Sequence, residues 1–440
     1  MTTSYVIRGS RPLGGSNVDI VVSDGVISAI GSDLEVPSDA TEISAHGHIA
    51  LPGLVDLHTH LREPGREDAE TVLSGSQAAA AGGYTAVCAM ANTNPVADTA
   101  GTVEQVWRLG QEAGLVHVQP IGAVTMGLAG TQLAELGAMA DSAARVRIFS
   151  DDGKCVHDAV LMRRALEYVK AFDGVIAQHA QEPRLTEDAQ MNESALSGIL
   201  GLRGWPAVAE EAIIARDVLL ADHVGSRLHV CHVSTAGSVE IIRWAKSRGI
   251  AVTAEVTPHH LLLTEELVRS YNPIYKVNPP LRSERDVHAL REALADGTID
   301  VVATDHAPHP AEDKDCEWAE AAMGMVGLET AVGVVAEAMI STGLMDWAGV
   351  AQRMSVQPAA IGRLAGQGRP LAVGEPANLT LINTDAPHVV EPRALRSASR
   401  NTPYAGRSLP VSVWTTFYNG ELTLDEGVLV SHGRTSGSSA

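Results

Sequence analysis

Ile49-Ala50-Leu51-Pro52-Gly53-Leu54-Val55-Asp56-Leu57-His58-Thr59-His60 is an apolar run that ends on two histidines one residue apart. In a strand, residues two apart face the same side. Both imidazoles therefore point to one place, where a metal ion can take two ligands from one short, rigid segment. The next residues, Leu61-Arg62-Glu63-Pro64-Gly65, put a guanidinium on that side, and a guanidinium matches a substrate carboxylate.

From this run the pattern repeats. Apolar β-type runs at 49–58, 83–91, 116–125, 145–150, 174–179, 227–233, 249–257 and 299–304 alternate with longer stretches such as Glu70–Ala81 and Asp158–Ala171, whose apolar residues recur at helical spacing. Eight strands separated by helical segments predict an α/β fold of the (β/α)8 TIM-barrel type. No G-x-G-x-x-G opens the first strand–helix unit, which argues against a doubly wound sheet. Residues 1–50 read differently: Val18–Val22 and Val26–Ile30 flank the turn Asp24-Gly25, a pair of short strands. Asn378–Ile382 and Val411–Tyr418 near the other end read the same way. The expected organisation is a barrel over 51–367 and a small β-sandwich module made from 1–50 and 368–430, with 431–440 a disordered polar tail.

Net charge is −21, from 32 basic and 53 acidic residues, and no basic run is long enough to follow a phosphate backbone. Nucleic acid is therefore not expected as a partner. No apolar run approaches membrane-spanning length, and no basic stretch followed by an apolar core marks a signal peptide. Cys88, Cys155, Cys231 and Cys316 are scattered without a C-x-x-C pair, as in a reduced, cytoplasmic protein.

Active-site groups of such barrels lie at the C-terminal ends of the strands. There the chain carries His58 and His60, then Asn92, Asp151-Asp152-Gly153, His179, His232 and Asp305-His306-Ala307-Pro308-His309. Four histidines and two carboxylates at one mouth suffice for two divalent ions that share a bridging ligand. Asp305 closes the last strand, where a carboxylate can both touch a metal and take a proton from its bound water. Asp151 and Asp152 both remain open as the ligand, because register decides which one faces inward. His229 lies three residues before His232 and is expected to face the other way. His259 and His260 are read as supporting or packing groups. Arg62, Asn92, Asn278 and His309 supply hydrogen-bond donors for substrate, and 310–325 reads as a loop over the mouth.

The runs Asp56–Gly65 and Ala303–His309, with Lys314 following, resemble the two signature motifs of the dihydroorotases, and Thr257–His260, Val277–Arg282, Gly327–Thr330 and Asn401–Tyr404 are similar to further segments of that family. The likeness is greatest to the bacterial long-chain type within the amidohydrolase superfamily. It implies reversible, zinc-dependent closure of N-carbamoyl-L-aspartate to dihydroorotate in pyrimidine synthesis, with a bridging hydroxide as nucleophile and Asp305 as general acid and base. By the same resemblance His58, His60 and Asp305 hold one Zn²⁺, His179 and His232 a second, and Asp152 bridges them. Many relatives bridge with a carboxylated lysine; Phe149–Gly153 offers none, and Lys154 lies past the strand end. Substrate falls to His60, Arg62, Asn92, Asn278 and His309, with the backbone at Met323 and Gly324. Ala91 and Met323 stand where many relatives have proline and phenylalanine. The resemblance also implies a homodimer and allows a complex with aspartate transcarbamoylase. The rival readings are another cyclic amide hydrolase, a hydantoinase or allantoinase, and an inactive scaffold for aspartate transcarbamoylase. Asp152, Arg62 and the full set of ligand-type residues argue against both.

Overall fold

Gly53 divides the opening run in two. A Cβ there would lie 2.3 Å from the Thr85 side chain, so glycine lets the chain turn from one layer into the next. The structure, a computed structural model, describes residues 4–34, 40–385 and 387–430; the expected tail at 431–440 lies outside the described residues.

Before Gly53 the chain forms β1 (Tyr5–Pro12), β2 (Val18–Ser23), β3 (Val26–Gly31), β4 (Thr41–Ser44) and β5 (Ile49–Pro52). Strand β5 runs parallel to the end of β1 and antiparallel to a strand from far along the chain, Leu379–Asn383. The expected single strand 49–58 is thus two strands in different sheets. Residues of both chain ends share one apolar cluster, including Ile7, Ile20, Ile27, Leu379 and Leu381. Tyr5 meets Phe417 edge-on there, with ring centroids 5.2 Å apart.

After Gly53 come β6 (Leu54–Thr59), β7 (Tyr84–Ala89), β8 (His117–Pro120), β9 (Ile148–Phe149), β10 (Val175–Gln178), β11 (Leu228–Val230), β12 (Val252–Val256) and β13 (Val301–Val302). Neighbours pair in parallel along β6–β7–β8 and along β9–β10–β11–β12–β13. Parallel bridges Gly122–Phe149 and Thr59–His306 join these two sheets at both edges, so pairing passes around all eight strands. Helices fill the crossovers: α1 (Val72–Ala81), α2 (Ala100–Ala113), α3 (Leu136–Asp141), α4 (Ala159–Val169), α5 (Val208–Val224), α6 (Ala236–Ser247) and α7 (Glu284–Asp296). Their starts have local causes. Thr71 and Ser74 form a reciprocal capping box on α1, and Asp158 accepts from Leu161 N–H on α4, each cap contributing about 1 kcal/mol.

Alternation sorts the strand residues. Val55, Ala86, Ile148, Val175, Ala177, Val301 and Ala303 pack together inside the ring. Leu54, Val87, Ile176, Val230, Ala254 and Val302 pack outward with helical residues such as Val103, Leu166 and Val218. The last strands, β14 (Leu379–Asn383), β15 (Ser412–Tyr418), β16 (Glu421–Asp425) and β17 (Val428–Leu429), return to the first sheet, which runs β17-β16-β15-β14-β5-β1-β2-β3 with β4 on β1. Among the described residues, no helix is long and apolar enough to cross a membrane.

Candidate metal centre and active site

Strict alternation does not deliver the histidines; interruptions of it do. Between Asp56 and Thr59 the register of β6 on β7 slips by a residue. Such a bulge re-aims the side chains that follow it, so Leu57 lies in the inner cluster and His58 and His60 still reach the mouth. His232 and Asp305 each adopt a positive φ, 31° and 48°, a backbone region that non-glycine residues enter at a cost and that clusters at functional sites. Asp56 ties the first strand to the last, accepting from His58 N–H and Thr304 N–H at 3.0 Å each and from Thr304 Oγ1 at 2.5 Å.

Six of the expected residues come together. His58 Nε2 lies 3.4 Å from both Asp152 Oδ2 and Asp305 Oδ1. His60 Nε2 is 3.1 Å from Asp305 Oδ1 and 3.4 Å from Asp152 Oδ2. On the other side, His179 Nδ1 and His232 Nε2 are each 3.1 Å from Asp152 Oδ1 and 2.9 Å from one another. Two ligand atoms bound at 2.0–2.1 Å to one tetrahedral ion lie about 3.3 Å apart. The donor set thus has the spacing of two adjacent cation sites, with one oxygen of Asp152 turned to each. His58–His60–Asp152 and Asp152–His179–His232 each bring their donor atoms within 4.8 Å of one another, and all are buried. His58 Nε2 is a buried polar atom without a hydrogen-bond partner among the described residues, which fits a nitrogen reserved for a metal. Burial pushes the Asp305 carboxyl up, yet His58 and His60 beside it outweigh this and hold it down at about 2.

The open choice between the paired aspartates has a geometric answer. Asp151 Oδ1 accepts from Val124 N–H at 2.8 Å and Thr125 N–H at 2.9 Å, and Oδ2 accepts from the Thr125 hydroxyl. It fastens the loop after β8, and only Asp152 faces the histidines. Lys154 is exposed, whereas the cluster is buried.

The expected substrate groups lie in three places around the rim. Arg62, at φ 60°, donates from Nε to Pro308 O at 3.2 Å, and its Nη2 is 3.5 Å from His309 Nε2. His309 Nε2 is in turn 3.1 Å from Met323 O. Burial, with Arg62 and Lys314 nearby, lowers His309 to about 3, so its ring is neutral. Gly324 has φ 151°, and a Cβ there would stand 2.7 Å from His309 Nε2. Asn92 Oδ1 accepts from His60 Nδ1 at 2.9 Å. Asn278 Nδ2 donates to Gln181 Oε1 at 3.2 Å, Gln181 holds His179 Nε2 at 2.7 Å, and Asn278 Oδ1 is buried without a partner among the described residues. The 310–325 segment contains a short helix, Ala311–Lys314. Lys314 Nζ anchors it by donating to the carbonyls of Lys276, Ala322 and Gly324.

His229 corrects the expectation that it faces away from the site. Its Nε2 is 3.0 Å from Glu255 Oε2, and Glu255 Oε1 is 2.6 Å from His58 Nδ1. On β11, position 229 points inward by alternation, and the kink at His232 turns that residue inward as well. Glu255, Asp56 and Gln181 were missed in the sequence. A carboxylate inside the apolar run 249–257 was the available signal for Glu255. His260 packs as expected, with Nδ1 2.8 Å from Thr257 Oγ1 and Nε2 3.3 Å from Pro280 O.

Solved structures share this architecture. An L-hydantoinase (dihydropyrimidinase) from Arthrobacter aurescens superposes with a TM-score of 0.85 at 25% identity, covering 98% of each chain. A dihydropyrimidinase from Brevibacillus agri gives 0.82 at 20% identity, over 97% of this chain and 96% of that one, a likeness of fold alone. The class is therefore that of the cyclic-amide hydrolase fold with a histidine–carboxylate cluster suited to metal. A Dihydro-orotase-like family model matches residues 47–238. Proteins named dihydroorotase are 71% identical in Streptomyces coelicolor (96% of this chain, 99% of that one), 64% in Leifsonia xyli (99% of each) and 56% in Mycobacterium tuberculosis (96% and 99%). The chain belongs to the dihydroorotase family.

Proposed function

We propose that this protein is an active dihydroorotase that interconverts N-carbamoyl-L-aspartate and dihydroorotate. The observation that carries the reading is Asp152, whose two oxygens serve two histidine pairs beside a rim that presents Arg62. The cluster would suit two Zn²⁺: His58, His60 and Asp305 would hold one and His179 and His232 the other, with Asp152 placed to serve both. Bound there, zinc supplies Lewis acidity and a water acidified to a pKa of about 7.

The chain's own residues do the rest. Arg62 binds the carboxylate remote from the reacting bond. Asn92 joins it through Nδ2, since Oδ1 is engaged by His60. Asn278 and the Met323–Gly324 backbone hold the polar edge of the ring. This fixes the amide carbon over the cluster, so part of the barrier is removed by placement. In the hydrolytic direction Asp305 accepts the proton released as water adds to the amide carbon. It returns that proton to the ring nitrogen as the C–N bond breaks; cyclisation runs the same steps backward. The neutral His309, between Arg62 and Met323, orients the loop against the substrate.

We also propose that the eight paired strands are a closed (β/α)8 barrel over 51–367, flanked by a β-sandwich from 1–50 and 368–430. The bridges at both sheet edges and the Tyr5–Phe417 contact support this, although β5 carries the sandwich on to Pro52. A cytoplasmic homodimer and an association with aspartate transcarbamoylase rest on the family resemblance, and sedimentation with and without that partner checks both.

The deciding experiment is metal analysis of the purified protein with parallel assays on dihydroorotate and hydantoin. Dihydroorotate turnover that is lost on chelation and restored by zinc is expected. Preference for hydantoin would favour a hydantoinase, and inertness with zinc bound would favour the scaffold.

A further inference from the structure

Glu255 sits inside the ring on β12, 1% exposed, and takes no part in the reaction described above. Its Oε1 is 2.6 Å from His58 Nδ1 and accepts the His232 backbone N–H at 3.1 Å. Its Oε2 is 3.0 Å from Nε2 of the equally buried His229, whose Nδ1 is 2.8 Å from Thr253 Oγ1. The chain Thr253–His229–Glu255–His58 thus runs through the ring beneath the metal centre and ends on a nitrogen donor.

Among the described residues, the outer nitrogens of His60 and His179 meet amides instead. His60 Nδ1 meets the amide oxygen of Asn92, and His179 Nε2 meets that of Gln181. His58 is held by a carboxylate. A carboxylate only accepts hydrogen bonds, so Nδ1 of His58 carries a proton, and in the neutral ring Nε2 is then the nitrogen with the lone pair. That Nε2 is the buried atom with no hydrogen-bond partner among the described residues, 3.4 Å from Asp152 and Asp305. Negative charge on the far side of the ring also makes the imidazole a stronger donor.

We propose that Glu255, held in place by His229, is a positioning residue that fixes the orientation and tautomer of His58 and so sets how tightly the centre retains metal. The inference rests on the metal-centre reading above. Because Glu255 also accepts the His232 N–H, it steadies one ligand from each of the two cation sites. His229 closes the second oxygen, which would otherwise be a buried carboxylate oxygen with no partner, a costly arrangement.

The test compares zinc affinity of the parent protein and Glu255→Gln, by competition with a chromophoric chelator on protein stripped of metal. Thermal unfolding of both metal-free proteins is measured alongside. Glutamine keeps the shape and loses the charge. At least one zinc-binding step should weaken by about 10–100-fold, whatever the change in unfolding temperature, and Glu255→Asp should recover part of that loss. Affinities within twofold of the parent would overturn the proposal, whereas a parent that binds no zinc would overturn the metal-centre reading itself. If Glu255→Gln does not fold, nitrogen-15 NMR of the zinc-loaded, histidine-labelled parent decides. His58, assigned through His58→Gln, should carry its proton on Nδ1; a proton on Nε2 refutes the inference.

Discussion

Asp151 and Asp152, adjacent in the chain, divide structural and chemical work between them. Asp151 accepts three hydrogen bonds from Val124 and Thr125, while Asp152 offers an oxygen to each of two histidine pairs. Asp151→Asn should cost stability, about 1–3 kcal/mol for the lost charged acceptor, and leave metal bound. Asp152→Asn should empty at least one cation site and lower activity by about a thousandfold or more. Metal content and thermal unfolding of the two variants check this, and equal metal content would contradict the division.

Asp305 stands apart from the other proposed ligands because it closes the last strand at the rim. Asp305→Asn should abolish turnover while metal stays at least partly bound by His58, His60 and Asp152. Single-turnover assays on the zinc-loaded variant read this directly, and near-normal rates would remove the proton-transfer role.

In the proposed site Arg62 acts on binding more than on chemistry. Charge-assisted hydrogen bonds contribute about 1.5–3 kcal/mol, so Arg62→Ala should raise KM for dihydroorotate by roughly 10–100-fold, with a smaller effect on kcat. Steady-state kinetics with varied substrate tests it, and an unchanged KM counts against a carboxylate-binding role.

Glu329, which is not part of the histidine–carboxylate cluster, gives a pH-dependent prediction. Burial pushes its carboxyl up to about 7, despite backbone N–H groups of Ser397 and Arg396 that favour the charged form. The folded protein therefore holds a proton that the unfolded chain releases near pH 4.5. The stability linked to that proton is fully present below that pH and is lost as pH rises through about 7. Glu329→Gln should then unfold at a higher temperature than the parent at pH 8, by a margin that shrinks or disappears at pH 5. Calorimetry at the two pH values decides, and a pH-independent difference would contradict it.

The ligand-type residues were legible in the sequence because chemistry limits their identity and strand ends limit their position. Their facing was less so. A bulge after Asp56 and positive φ values at His232 and Asp305 break the two-residue alternation on which sequence reading depends, which is why His229 was expected to face outward. Asp151 and Asp152 could not be separated without register. Gly53 was read as part of one strand because apolar residues continue on both sides; only contact with Thr85 marks it as a corner. Glu255 was hidden for a related reason. It lies in an apolar run, and its partners His58 and His229 come from strands distant in sequence.

Strand β5 lies between Arg11–Pro12 and Leu379–Ile382. A growing polypeptide emerging from the ribosome can therefore lay down one of these seams early but must wait for more than 300 further residues before the other is sealed. Closing so wide a span is slow compared with local pairing. During that interval one edge of the nascent strand is uncovered, a window for chaperone capture or for mispairing with a neighbouring chain.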